Sequence, residues 1–221
     1  VDRLVLGKMQ NPVRGFLHGT AALLSMVALV ALVARTSGDV PRMISMIVFG
    51  ASAFALYTTS SLYHSVPWKA LWKQRMQRLD HSMIFLLIAG TYTPIAFNVL
   101  DGTMRWSTLG MVWGAAIGGI VQKVFFPQIR NWLSIALSMV MGWLAVIPLP
   151  RLIDRLGFRA VALLLLGGLF YSVGMVLLVT RRPRMRPEVF SYHEVFHVFV
   201  VLGTIVHFLF IAWYVAPIAR P

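Results

Sequence analysis

Cysteine is absent from all 221 residues, which excludes both a disulfide framework and thiolate metal ligands. Charge is scarce: 12% of residues are Asp, Glu, Lys or Arg, and only seven of these are acidic against twenty basic. A soluble domain carries about 25% charged residues, so this chain cannot cover itself with a water-facing surface. Apolar residues fill the gap, at 58% of the sequence with a mean hydropathy of +0.76. The composition is that of an all-α integral membrane protein. A formal charge of +13 does not point to nucleic acid here. The bases sit in short connections between apolar runs, where anionic phospholipid headgroups are their natural partners. Without thiols, any soft-metal site must be built from the six histidines.

Seven apolar segments read as membrane spans, at about 16–34, 43–64, 80–100, 108–126, 132–149, 158–180 and 193–216. Each is near the ~20 residues that a helix needs to cross the hydrocarbon core. The first has the basic front and apolar middle of a signal peptide. With six spans behind it, it reads as an uncleaved helix of a single seven-helix transmembrane domain over 1–221. The absence of lysine from the last span excludes a rhodopsin-like Schiff base.

Lysine and arginine in the connections predict the orientation. The first tail holds three, 65–79 four, 123–131 two and 181–192 four, which is thirteen on one side. The alternate connections hold seven, at Arg35, Arg42, Arg105, Arg151, Arg155, Arg159 and Arg220. The amino terminus is therefore expected in the cytoplasm and the carboxyl terminus outside, in the plasma membrane. Other features read as structural. Gly110, Gly114 and Gly118 form a small-residue stripe suited to close helix packing, and Pro94 is expected to kink its helix. The 65–79 connection reads equally as a loop or a short amphipathic helix, with Trp68, Leu71 and Trp72 against Lys69, Lys73 and Arg78.

Three pieces carry chemistry. His193 and His197 stand four residues apart, on one helix face and one turn from each other. Ser60 and His64 share that spacing at the end of the second span, and Asp80 begins the third. With the predicted orientation all three pieces arrive at the same leaflet, although the charge count makes no use of the histidines. Three imidazoles from two helices can hold Zn²⁺ with a position left open, and zinc lowers the pKa of bound water toward ~7. Asp80 would hydrogen-bond that water or orient an imidazole, and Ser60 would bond the water or a substrate carbonyl. The alternative for Asp80 alone is a helix cap. His18 stands near the same end, as a candidate neighbour of the site. His81 points about 100° from Asp80 and suits partner bonding. His207 lies roughly 21 Å along the helix from His193, too deep to join them, and is expected to face the bundle interior. His193-Glu194-Val195-Phe196-His197 also matches the zincin motif, in which the Glu is the general base.

At these residues the sequence resembles the hemolysin III branch of the progestin and adipoQ receptor family, within a wider group of seven-helix membrane hydrolases that includes the alkaline ceramidases. The resemblance covers nearly the whole chain. It rests on Ser60 and His64, on Asp80, on His193 and His197, and on the runs SSLYHS and DHSMIFLLIAGTYTP. It implies zinc held by His64, His193 and His197, with Asp80 and Ser60 around its water. The chain departs from the family pattern Glu-x-x-Asn-x-x-x-His before the first helix: aligned on His18 it has Asn11 and Arg14, and no Glu. The reading is a zinc-dependent hydrolase of a lipid amide or ester at the cytoplasmic leaflet. The alternatives are a zinc-stabilised sensor of membrane lipid, a zincin-type protease and a pore.

Overall fold

The computed structural model describes residues 9–186 and 188–218; Arg3, Lys8 and Arg220 of the charge count lie outside them. Eight α-helices follow one another in the described residues: α1 (Pro12–Thr36), α2 (Val40–Ser65), α3 (Ala70–Val99), α4 (Gly102–Phe125), α5 (Asn131–Trp143), α6 (Leu149–Leu156), α7 (Phe158–Thr180) and α8 (Tyr192–Phe210). A 3₁₀ turn, Leu144–Val146, extends α5, and a π-helical turn, Ile211–Val215, extends α8. There is no β-strand among the described residues; Arg186 and Phe190 form an isolated bridge. Local chemistry explains the starts. Pro12 sits at the first position of α1, where a missing N–H costs nothing. Asp39 caps α2 by accepting the Arg42 N–H at 3.2 Å.

Six helices are long and apolar enough to span a membrane, and the bent pair of 132–146 with 149–156 brings the number to seven when it is counted as one span. The expected fifth span, 132–149, is therefore not continuous. The chain turns by 48° at this break. Pro148 and Pro150 supply the reason, since neither can donate to the helical ladder and each crowds the preceding turn. Beyond it α6 is amphipathic, burying Leu152 and exposing Arg151, Asp154 and Arg155.

The third helix also starts earlier than expected. From Ala70 it runs unbroken through the basic stretch and through Pro94 to Val99, so the stretch from residue 70 onward is helical and continuous with the span. Asp80 is thus about three turns inside α3 and caps nothing.

Sequential neighbours pack together, α1 on α2, α2 on α3 and α3 on α4, while α7 packs on α8 and α8 returns to α1. The main core gathers Phe49, Leu56, Ala96, Val161 and Phe210, and a smaller cluster around Phe85 and Met141 joins α3, α4 and α5. The glycine stripe is not where α4 packs. A methyl group added at Gly110, Gly114 or Gly118 would meet nothing within 4 Å. The close approach is at Gly119, where a Cβ would lie 2.7 Å from the Phe85 ring of α3.

Candidate functional site

The site forms at the end of the bundle where α2 finishes and α8 begins. The second helix stops after Ser65 because Pro67 disfavours a helical Val66, which is extended. His64 is left buried in the last turn. Asn11, just before α1, donates its N–H to the His64 carbonyl at 3.0 Å and ties the first helix to this end. The eighth helix starts at Ser191, whose N–H donates to Glu194 Oε2 at 2.8 Å, and this start orients His193 and His197 inward.

His64, His193 and His197 each offer a ring nitrogen, and the three atoms lie within 4.8 Å of one another. Ring centroids are 5.4 Å apart for His64 and His193, 4.9 Å for His64 and His197, and 5.0 Å for His193 and His197. Nδ1 of His197 is buried with no hydrogen-bond partner among the described residues. Three imidazoles converging in a thiol-free pocket suit a borderline divalent ion such as zinc. The ligand set predicted from the motifs is therefore brought together, and it could hold one metal ion.

Asp80 and Ser60 arrive together as well. Both line a cavity of about 220 Å³ with His193 and His197. His18 joins the same wall, its ring 4.0 Å from His197 and edge-on to Tyr57 at 5.1 Å. A second cavity of about 120 Å³ shares Leu56, Ile84, Phe196 and Val200 with the first and continues among apolar side chains such as Leu87, Ile95 and Leu164. His207 lies along this deeper space and not at the histidine cluster. Its Nε2 donates to the Leu164 carbonyl at 3.1 Å, and its ring occupies the space that a side chain at Gly167 would fill.

Glu194 does not face a polar rim. It is buried, and its Oε1 takes the Arg14 guanidinium at 2.6 Å, with both side chains under a tenth exposed. Both carboxylate oxygens are thus engaged, one by α1 and one by the cap of its own helix. This is the place of the departure from the family pattern: Arg14 spans from α1 to the start of α8 and pairs with the zincin-like Glu.

Two residues of the cavity escape motif reading. Lys123, counted as a connection charge, is only 8% exposed in the last turn of α4 and lines the cavity. Ser134, from α5, lines it too and donates to Gln122 at 2.6 Å. His81 faces this cavity beside Asp80. A lysine inside an apolar run, Gly118-Gly119-Ile120-Val121-Gln122-Lys123, is the signal that could have marked it.

The haemolysin-III related family model matches residues 7–208. Hemolysin-3 of Bacillus cereus is 36% identical over 204 residues, covering 91% of this chain and 90% of the relative. The Hemolysin-3 homolog of Bacillus subtilis (strain 168) is 38% identical over 199 residues, covering 89% and 90%. Heptahelical transmembrane protein 1 of Arabidopsis thaliana is 28% identical over 204 residues, covering 81% of this chain and 60% of the relative.

Proposed function

Because the chain belongs to the haemolysin-III related family, in the hemolysin III branch of the progestin and adipoQ receptor proteins, we propose that it is a zinc-dependent membrane hydrolase of a lipid amide or ester. One observation carries this reading. Three converging imidazoles stand beside a carboxylate and a serine on the wall of a cavity that continues into an apolar space between the helices.

When bound at the histidines, zinc supplies a Lewis acid and an acidified water. The chain's own residues supply the rest. Asp80 accepts a proton from the attacking water, and Ser60, on the same cavity wall, bonds that water or the substrate carbonyl. His18, packed on His197, fixes the plane of that imidazole. The apolar cavity seats an acyl chain and keeps bulk water from the reacting carbonyl. We place the amino terminus and this site at the cytoplasmic face of the plasma membrane on the strength of the charge asymmetry. The basic residues at the start of α3 and in 181–192 would then rest on anionic headgroups.

A zincin-type protease is disfavoured by the engagement of both Glu194 oxygens. A pore is disfavoured by the apolar lining of the deeper cavity, whatever the name of the Bacillus relatives says of them. The test is direct. Purified protein reconstituted with zinc is incubated with a long-chain N-acyl amide and an acyl ester, and released fatty acid is measured by mass spectrometry. Release by wild type and not by Asp80→Asn supports hydrolysis. Full zinc occupancy with no release from any acyl lipid tried would leave the site as a metal staple for a lipid sensor.

A further inference from the structure

The deeper cavity is a passage with a beginning and an end. Ile84, Met175, Phe196 and Val200 belong both to it and to the histidine cavity. From Ile84 to Leu100 it follows one face of α3, about 24 Å along the helix. Its far end is stopped by Leu100, Pro148 and Leu152, all three buried. Pro148 stands at the 48° break after α5, and Leu152 lies on α6 beyond it. The broken fifth span thus has a consequence for the site, because its short second helix closes the passage.

The hydroxyls on this wall are turned to the protein. Thr91, Ser138 and Ser172 donate to the carbonyls of Leu87, Ile135 and Gly168, each at 2.8 Å. Tyr171 pairs with Thr204 at 2.7 Å. A polar headgroup placed at this depth would lose its water for few partners. A methylene chain asks for none, so the passage suits the tail of a lipid whose head stays at the histidines.

We propose that the passage is a ruler for one acyl chain, with Leu100, Pro148 and Leu152 as the stop that limits its length. About 24 Å exceeds one leaflet's share of a ~30 Å hydrocarbon core and falls short of the whole. That length takes a palmitoyl or stearoyl chain and stops a tetracosanoyl one. Membrane and passage are both apolar, so burial alone does not drive entry. A chain that reaches the stop gains packing contacts along its whole length, and one that overruns it must buckle. The ruler rests on the lipid-hydrolase reading and deepens it, by naming the chain length accepted and the residues that set it.

The probes are N-acylethanolamines with octanoyl, palmitoyl and tetracosanoyl chains, which share one neutral head and differ only in length. Binding of each tritiated amide to zinc-loaded protein in detergent is measured by scintillation proximity, with affinity expressed as mole fraction in the micelle. Wild type should prefer palmitoyl to either of the others by about tenfold or more. Gly168 lines the passage about 10 Å along α7 from Met175, and a Cβ there meets nothing within 4 Å. Gly168→Phe should therefore shorten the passage, weakening palmitoyl at least tenfold and leaving octanoyl within about twofold of wild type. Leu152→Ala should lengthen it and bring tetracosanoyl within about threefold of palmitoyl. Tetracosanoyl bound as tightly as palmitoyl by wild type, or octanoyl and palmitoyl weakened alike by Gly168→Phe, overturns the proposal. If Leu152→Ala does not fold, the wild-type series and Gly168→Phe decide. Binding of all three amides without a length preference removes the ruler and leaves the lipid reading standing, whereas binding of none removes both.

Discussion

Two carboxylates near the histidines have different contacts, and on the proposed hydrolase reading these contacts set which of them serves chemistry. Asp80 lines the cavity together with Ser60, whereas Glu194 is engaged by Arg14 and by the cap of α8. Asp80→Asn should therefore abolish hydrolysis with little loss of metal, as measured by turnover and zinc content on one preparation. Glu194→Gln should cost less than about tenfold in kcat/KM, or ~1.4 kcal/mol. Its larger effect should be on stability, because it leaves a buried guanidinium without its counter-charge, a loss of about 3–5 kcal/mol seen as a lower melting temperature in detergent. A thousandfold loss of rate in Glu194→Gln, with Asp80→Asn active, would restore the zincin reading. The metal set is tested at the same scale. His64→Ala, His193→Ala and His197→Ala should each strip most of the bound zinc. His207→Ala should retain it while losing about 1–3 kcal/mol of stability with the Leu164 bond. Loss of zinc in His207→Ala but not in His64→Ala would refute the assigned site.

At the scale of elements, the bundle end is assembled by contacts that cross between helices. Arg14 joins α1 to α8, the Asn11 N–H joins the start of α1 to the end of α2, and Tyr57 of α2 donates to Thr204 of α8 at 2.6 Å. These hold His64 against His193 and His197 before any metal arrives. Helix four is held differently, by the Phe85 ring lying over Gly119. Gly119→Val should drive a side chain into that ring and cost about 1–3 kcal/mol. Gly114→Val, with nothing within 4 Å, should shift the melting temperature little. Thermal unfolding of both variants in the same detergent checks the contrast, and equal effects would mean that α4 packs through its glycine stripe instead.

For the whole molecule the open question is which face of the membrane the site occupies. The thirteen-to-seven split of bases leads us to expect the cytoplasmic side. Both Gln77 and Arg186 are exposed near the histidine end, so single cysteines there report on it without touching the site. An impermeant thiol reagent added to intact cells should label neither Gln77→Cys nor Arg186→Cys, and both should label after permeabilisation. Labelling of either from outside would invert the orientation and move the lipid-entry face to the other leaflet. The native chain has no cysteine, so no background reaction complicates the reading.

Much of this was legible in the chain itself, because membranes impose simple rules. A hydrocarbon slab demands apolar runs of a fixed length, and six of the seven expected spans fall on single long helices, with Phe158–Thr180 matched to the residue, although α3 and α4 begin well before the expected starts. Helical periodicity put His193 and His197 on one face, and the ends of α2 and α8 carried Ser60 and His64 to meet them. What local rules could not reach were partners distant in sequence. Arg14 finds Glu194 across 180 residues, and that contact is what argues against the zincin-like Glu as a base. Lys123 counts with the connection charges although the expected span runs through it, and only the packing of α4 makes it part of the cavity wall. The break at Pro148 and Pro150 was visible as two prolines, yet the 48° turn depends on where α6 can lay its apolar side. Length and polarity are properties of a segment, but the role of a buried charge is set by what the fold places beside it.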